Sequence, residues 1–197
     1  MLNYELSNYT HEQLSAYTHA ELAGFINGDS DSPIFPGLIV DRTYADVERW
    51  RLLRNKGWDN MTTWERQEWL GEIETTPAAT KGMYTHRDLN RVENAVKAIL
   101  SRFQEAGYKT PSLLIKTDWT YTDELRDTDM ERYYSNIAAV RNLTTVFKDT
   151  PVAPSIGERL TYQRANDIEK ILSDVNNAIS NITQAWHYAG EIISGEV

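Results

Sequence analysis

Residues 161–188 read TYQRANDIEKILSDVNNAISNITQAWHY. Apolar side chains recur at Ile168, Ile171/Leu172, Val175, Ala178/Ile179, Ile182 and Ala185/Trp186, about three heptads of one stripe. That spacing puts one apolar face on a helix and leaves the rest polar. Thr161 offers the N-cap oxygen, although Arg164 stands where a capping box wants an acid. The pattern predicts a helix from 162 to about 188, roughly 40 Å long at 1.5 Å per residue. A helix with one apolar stripe must bury it against other helices.

Two further stripes lie upstream. Leu89, Val92, Val96, Ile99 and Phe103 are spaced 3-4-3-4 behind Thr85 and Asp88, a capping-box pair, and Gly107 stops the helix. Met130, Tyr133, Ile137, Val140 and Phe147 follow the same register, with Thr144 in the polar slot. There Thr128 with Glu131 is the expected start, and the end falls before Pro151. Three single-stripe helices predict a three-helix bundle with coiled-coil-like packing over 81–197. Two short apolar segments stand outside it, 112–117 (SLLIKT) and the tail 191–197 (EIISGEV), and both read as extended edges. The connection from Gly107 to Thr128 is too long to be featureless, so it lies along the bundle or pairs with another chain.

The same capping device marks 41–80. Thr43 with Asp46 opens a helix that ends near Lys56 and Gly57; Thr62 with Glu65 opens another that ends near Gly71. Together they predict a Trp-rich helical hairpin. Trp50, Trp58, Trp64 and Trp69 fall within it. Buried, they fill a small core; exposed, they make protein hot spots or a sugar platform. Trp58, Trp64 and Trp69 are the candidate partner-binding residues of this unit. The acids Glu65, Glu68, Glu72 and Glu74 read as a solvated face, since paired carboxylates need unequal burial to act as acid and base. The basic residues Arg42, Arg49, Arg51, Arg54 and Lys56 also read as a solvated face.

The first 40 residues form an arm and linker without Lys or Arg. LSNYTHEQ, LSAYTHAE and LAGFINGD repeat with a period of eight from Leu6, Leu14 and Leu22, and place Tyr9, Tyr17 and Phe25 in register. Each Tyr-Thr-His reads as a helix start followed by about two turns. Units so short cannot bury their own apolar side, so Leu6, Tyr9, Leu14, Tyr17, Leu22 and Phe25 are expected to dock on another chain. The arm's acids, Glu5, Glu12 and Glu21, call for a partner surface that is apolar with a basic rim. The linker GDSDSP at 28–33 is turn chemistry.

Composition narrows the function. The chain has 197 residues, 41% apolar and 25% charged, which is globular. No apolar run approaches a membrane span, and the N-terminus lacks the pattern of a signal peptide. The absence of Cys excludes disulfides, thiolate metal sites and cysteine nucleophiles. A net charge of −9 opposes nucleic-acid binding. His11, His19, His86 and His187 show no metal-binding spacing, and no phosphate loop or nucleophile elbow occurs. We therefore expect no cofactor, no metal and no catalytic residue.

Several runs carry a family resemblance. They are Asp41-Arg42-Thr43, Lys56-Gly57-Trp58, Met61-Thr62, Glu68-Trp69-Leu70, Tyr84-Thr85, 88–93 (DLNRVE), Lys116-Thr117-Asp118-Trp119, 130–133 (MERY), Leu160-Thr161-Tyr162, 165–169 (ANDIE) and Ser194-Gly195-Glu196. As a set they resemble the minor structural proteins, tail-tip or baseplate-associated, of tailed phages and prophages of Gram-positive and gut bacteria. The resemblance implies a non-enzymatic virion protein working with other phage structural proteins, in several copies, and the absence of Cys and of a signal peptide suits assembly in the host cytoplasm. A tail accessory that binds a host receptor or glycan through exposed aromatics is the alternative.

Overall fold

The computed structural model describes residues 35–194, with side chains to residue 186. Among them are six α-helices and no strand: α1 (Tyr44–Lys56), α2 (Thr63–Leu70), α3 (Ala79–Gly82), α4 (His86–Glu105), α5 (Asp127–Arg141) and α6 (Tyr162–Ser194). A 3-10 turn, Trp58–Asn60, joins α1 to α2. Capping boxes are present at Thr43/Asp46, Thr62/Glu65 and Thr85/Asp88. Gly57, Gly71 and Gly107 leave their helices with positive φ.

Helices α4, α5 and α6 touch one another pairwise around the main core. Leu89, Val92, Val96, Ile99 and Phe103 meet Tyr133, Ile137 and Val140 there, with Ile168, Ile171, Leu172, Val175 and Ile179 from α6. The connections show how the helices are oriented. Gln104 Nε2 donates to Thr110 Oγ1, Lys116 N–H to Glu93 and Trp119 N–H to Asn90. Segment 106–119 therefore runs back along α4 to its N-terminal end. There α5 starts, and Arg132 on α5 bonds Glu93 on α4. Thr150 then reaches Asp174 and Tyr134 reaches the Glu158 carbonyl, so 142–161 retraces its path as well. All three helices consequently point the same way. Short loops force antiparallel neighbours, whereas these two long returns permit parallel ones.

Segment 112–117 is irregular rather than a strand. It is pinned to the bundle by Asn136 Nδ2 and Arg132 Nη1, which both donate to the Leu114 carbonyl. Leu113 and Ile115 pack on the core, while Leu114 is 75% exposed. The expectation that this connection lies along the bundle holds.

Four further sequence expectations are corrected. Residues 191–194 are helical, continuing α6, and not an extended edge. Helix α5 starts at Asp127, where Asp129 accepts the Arg126 N–H, and not after Thr128. It ends at Arg141, so Thr144 and Phe147 are outside it; the β-branched run Thr144-Thr145-Val146 has weak helix propensity, and Phe147 stays exposed. The stripe of α6 leaves the core past Ile182, and Trp186 is 57% exposed. The reason is length: α6 has 33 residues and α4 has 20, about 50 against 30 Å, so the end of α6 outruns its partners. Trp186 instead stacks on Tyr108, with ring centroids 5.8 Å apart.

Helices α1, α2 and α3 form a smaller layer around Leu53, Met61 and Ala79, with Trp50 and Trp69 packed against them. Gly82 allows α3 to lie on α1, because a Cβ there would come within 2.0 Å of the Asp46 carbonyl oxygen. The Asp46 carboxylate bonds both the Thr43 cap and the Ala78 N–H. Burial works against its ionisation, yet these bonds and Lys81 hold its pKa below the usual range.

Residues 35–42 strap the two parts together. Phe35 sits in the main core under the Arg102 guanidinium, whose side chain bonds Asn176. Ile39 N–H donates to Glu169, and the Arg42 backbone pairs reciprocally with the Asn166 amide. The strap thus runs antiparallel to α6, toward the N-terminal end of that helix.

Candidate interaction surface

The arm residues Leu6, Tyr9, Leu14, Tyr17, Leu22 and Phe25, with His11 and His19, lie outside the described residues. The other three candidates divide. Trp69 is half-buried on the small core, whereas Trp58 and Trp64 are 47% and 60% exposed. Trp58 lies under the Arg66 guanidinium at 5.2 Å from the ring centroid. Trp50 is half-buried, its indole N–H has no acceptor, and Arg54 covers its ring. Trp58→Ala with Trp64→Ala is expected to cost no more than about 1 kcal/mol, since exposed rings contribute little to folding. Trp69→Ala is expected to cost about 2–3 kcal/mol by emptying part of the small core. Thermal denaturation of the two variants measures the difference.

Of the acids read as a solvated face, Glu72 and Glu74 are exposed and Glu65 caps α2 with Thr62, but Glu68 is not part of that face. Glu68 is 1% exposed and takes three bonds from the Arg49 guanidinium, at 2.6 to 3.1 Å, as well as the Ala79 N–H. Burial raises the Glu68 pKa, but Arg49, Thr75 and Ala79 together outweigh it and hold the group below its ordinary value. The carboxylate stays charged and ties α1, α2 and α3 together. Glu65 is drawn down to about 2 by the Lys56 ammonium and the Thr62 N–H.

Arg42, also read as solvated, is buried, because the strap carries it into the junction of α4 and α6. One of its nitrogens, Nη2, donates to Asp88 at 3.0 Å and to Glu169 at 2.6 Å. Arg91 reaches the same two carboxylates at 2.5 and 2.8 Å. The two cations and two anions balance, and the Tyr84 ring lies 5.5 Å from the Arg42 guanidinium carbon. Tyr84 and Tyr133 share a 2.5 Å hydrogen bond beside them; burial raises the pKa of both, and neighbouring Glu169 adds to it. Glu93 plays a similar part further along α4, accepting from Lys116 N–H, Trp119 Nε1 and both Arg132 terminal nitrogens. Sequence reasoning read Asp88 as a cap but missed the burial and pairing of these carboxylates. Asp88, Glu93 and Glu169 sit in helices beside apolar stripe residues, which is the one signal that marked them.

A groove of about 460 Å³ opens where α1, α3 and the start of α6 converge. Tyr44 and Trp50 of α1 and Tyr162 of α6 supply aromatic wall. Arg42, Arg51, Lys81 and Arg159 also line it, and no Asp or Glu does. Lys81 pairs with Asp41 and Arg51 with Glu48, both outside the lining, and Arg159 has no ion pair among the described residues.

Among the described residues no group of three or more potential ligands is placed to hold a metal, and no helix is long and apolar enough to cross a membrane. No protein-family model, curated protein or solved structure matches the chain.

Proposed function

We propose that this chain is a non-enzymatic structural protein of a tailed-phage virion, joining tail or baseplate components in more than one copy. Its parts are an N-terminal arm (1–40), a Trp-rich helical hairpin (41–80) and a three-helix bundle with a C-terminal tail (81–197). The observation that carries the reading is how charge and aromatic surface are divided. The buried carboxylates Asp46, Glu68, Asp88, Glu93 and Glu169 each tie one segment to another. Tyr44, Trp58 and Trp64 stay at the surface of the smaller layer. A braced body with aromatics outside suits docking to other proteins, where such side chains supply most of the binding energy. The sequence resemblance and the repeat arm support the same role, with assembly in the host cytoplasm and no cofactor.

Deleting residues 1–27 is expected to leave the helical body folded and to prevent incorporation into particles. The test is complementation of a phage lacking the gene, with mass spectrometry of purified particles. A truncated chain present at normal copy number would show that the arm is not the anchor.

The second reading is a tail accessory that binds a host receptor or glycan. The exposure of Trp58 and Trp64, one capped by Arg66, favours it. Loss of cell binding in the double alanine variant, with folding and incorporation unchanged, would establish it.

A further inference from the structure

We infer that the groove between α1, α3 and the start of α6 receives the acidic N-terminal arm of a second copy of this chain, so that copies join head to tail. The inference rests on the reading of residues 1–27 as a docking segment and goes on to name the surface.

Charge is the first argument. Residues 1–34 contain Glu5, Glu12, Glu21, Asp29 and Asp31 and no Lys or Arg. The groove presents Arg51, Lys81 and Arg159 beside Arg42 and has no acid in its lining. Arg42 is already balanced by Asp88 and Glu169, so the approachable cations are the other three. Two of those sit in exposed ion pairs, which are weak enough for an incoming carboxylate to share or replace.

Chemistry of the wall is the second. The arm carries Tyr4, Tyr9, Tyr17 and Phe25 among leucines, and the groove offers Tyr44, Trp50 and Tyr162 as flat apolar surface. An apolar surface with a basic rim is what the arm's composition requires.

A second copy is chosen because the arm's eight-residue units are too short to bury their own apolar side and are read as docking on another chain. The arm of one copy on the groove of the next is a heterologous contact that repeats from copy to copy.

The test uses two full-length variants. In one the groove is reversed, Arg51→Glu with Arg159→Glu, both at exposed side chains. In the other the arm is reversed, Glu5→Lys with Glu12→Lys and Glu21→Lys. Sedimentation velocity across a concentration series reads association, and circular dichroism checks folding. The wild-type chain should self-associate and should weaken as salt is raised from 0.05 to 0.5 M, values of about one to two Debye-length halvings for exposed charge. Each variant alone should associate at least ~tenfold more weakly, because like charges then face each other. Mixed in equal amounts, the two variants should associate again, since each arm meets a groove of opposite sign. Should either reversal unfold the chain, Arg159→Ala with Arg51→Ala against wild type gives the same comparison with smaller loss. A wild-type chain that stays monomeric, or variants that associate as strongly as wild type, would overturn the proposal. Those results would leave the particle-incorporation test untouched, so failure here is distinct from failure of the virion role.

Discussion

Glu169→Ala is expected to destabilise the protein by about 3–5 kcal/mol, the range for removing one partner from a buried ion pair. Glu169 is fully buried and accepts from Arg42, from Arg91 through two nitrogens, and from the Ile39 N–H. Its loss leaves two guanidinium groups sharing Asp88 in a site closed to water, and frees one end of the strap. For a chain of this size about 2–4 °C of melting temperature accompanies each kcal/mol, so a fall of roughly 6–20 °C follows. Chemical denaturation of Glu169→Ala, Arg42→Met and the double variant gives the coupling. If the pair acts together, the double variant is less destabilised than the sum by about 0.5–3 kcal/mol. A Glu169→Ala chain within 1 kcal/mol of the parent would mean that the strap is held by packing alone.

Val175→Asp is expected to cost several kcal/mol, about 4 or more. Val175 is fully buried in the middle of the α6 stripe, among the residues that join all three long helices. A carboxyl group there finds apolar neighbours, so its folded-state pKa rises above the unfolded value of about 3.9. The sign follows from linkage: a raised folded pKa favours the folded state while the group is protonated in both states, below about pH 4, and the deficit grows as pH rises. Thermal melts at pH 4 and pH 7 measure both parts. An unchanged melting temperature would refute the packing of the three helices around this residue.

The candidate interaction residues were partly legible. Trp spacing placed Trp58, Trp64 and Trp69 in one short unit, but not which of them faces outward. Helix α2 has eight residues, about two turns, and rings at 64 and 69 fall on different sides of it. Which side is covered depends on Leu53, Met61 and Ala79, brought there by α1, the end of the 3-10 turn and α3. Glu68 was misjudged for the same reason. In sequence it is one acid among several; in the fold Arg49, nineteen positions earlier, turns it into a buried tie.

The sequence by itself determined the helical class, three of the capping boxes (Thr43/Asp46, Thr62/Glu65 and Thr85/Asp88) and most of the apolar residues that the long helices bury. These are local properties: a Thr–Asp or Thr–Glu pair three residues apart satisfies free N–H groups within one turn, and a 3-4 spacing defines one face whatever lies opposite. Tertiary structure alone decided the common direction of α4, α5 and α6, the overhang of α6, and the burial of Arg42 and Glu68. Each of these depends on groups far apart in the chain, such as Arg42 with Glu169 or Lys116 with Glu93, whose attraction is expressed only after the connections have folded back along the helices. The groove follows in the same way, because its cations come from the strap, α1, α3 and the segment before α6, and no stretch of sequence holds them together.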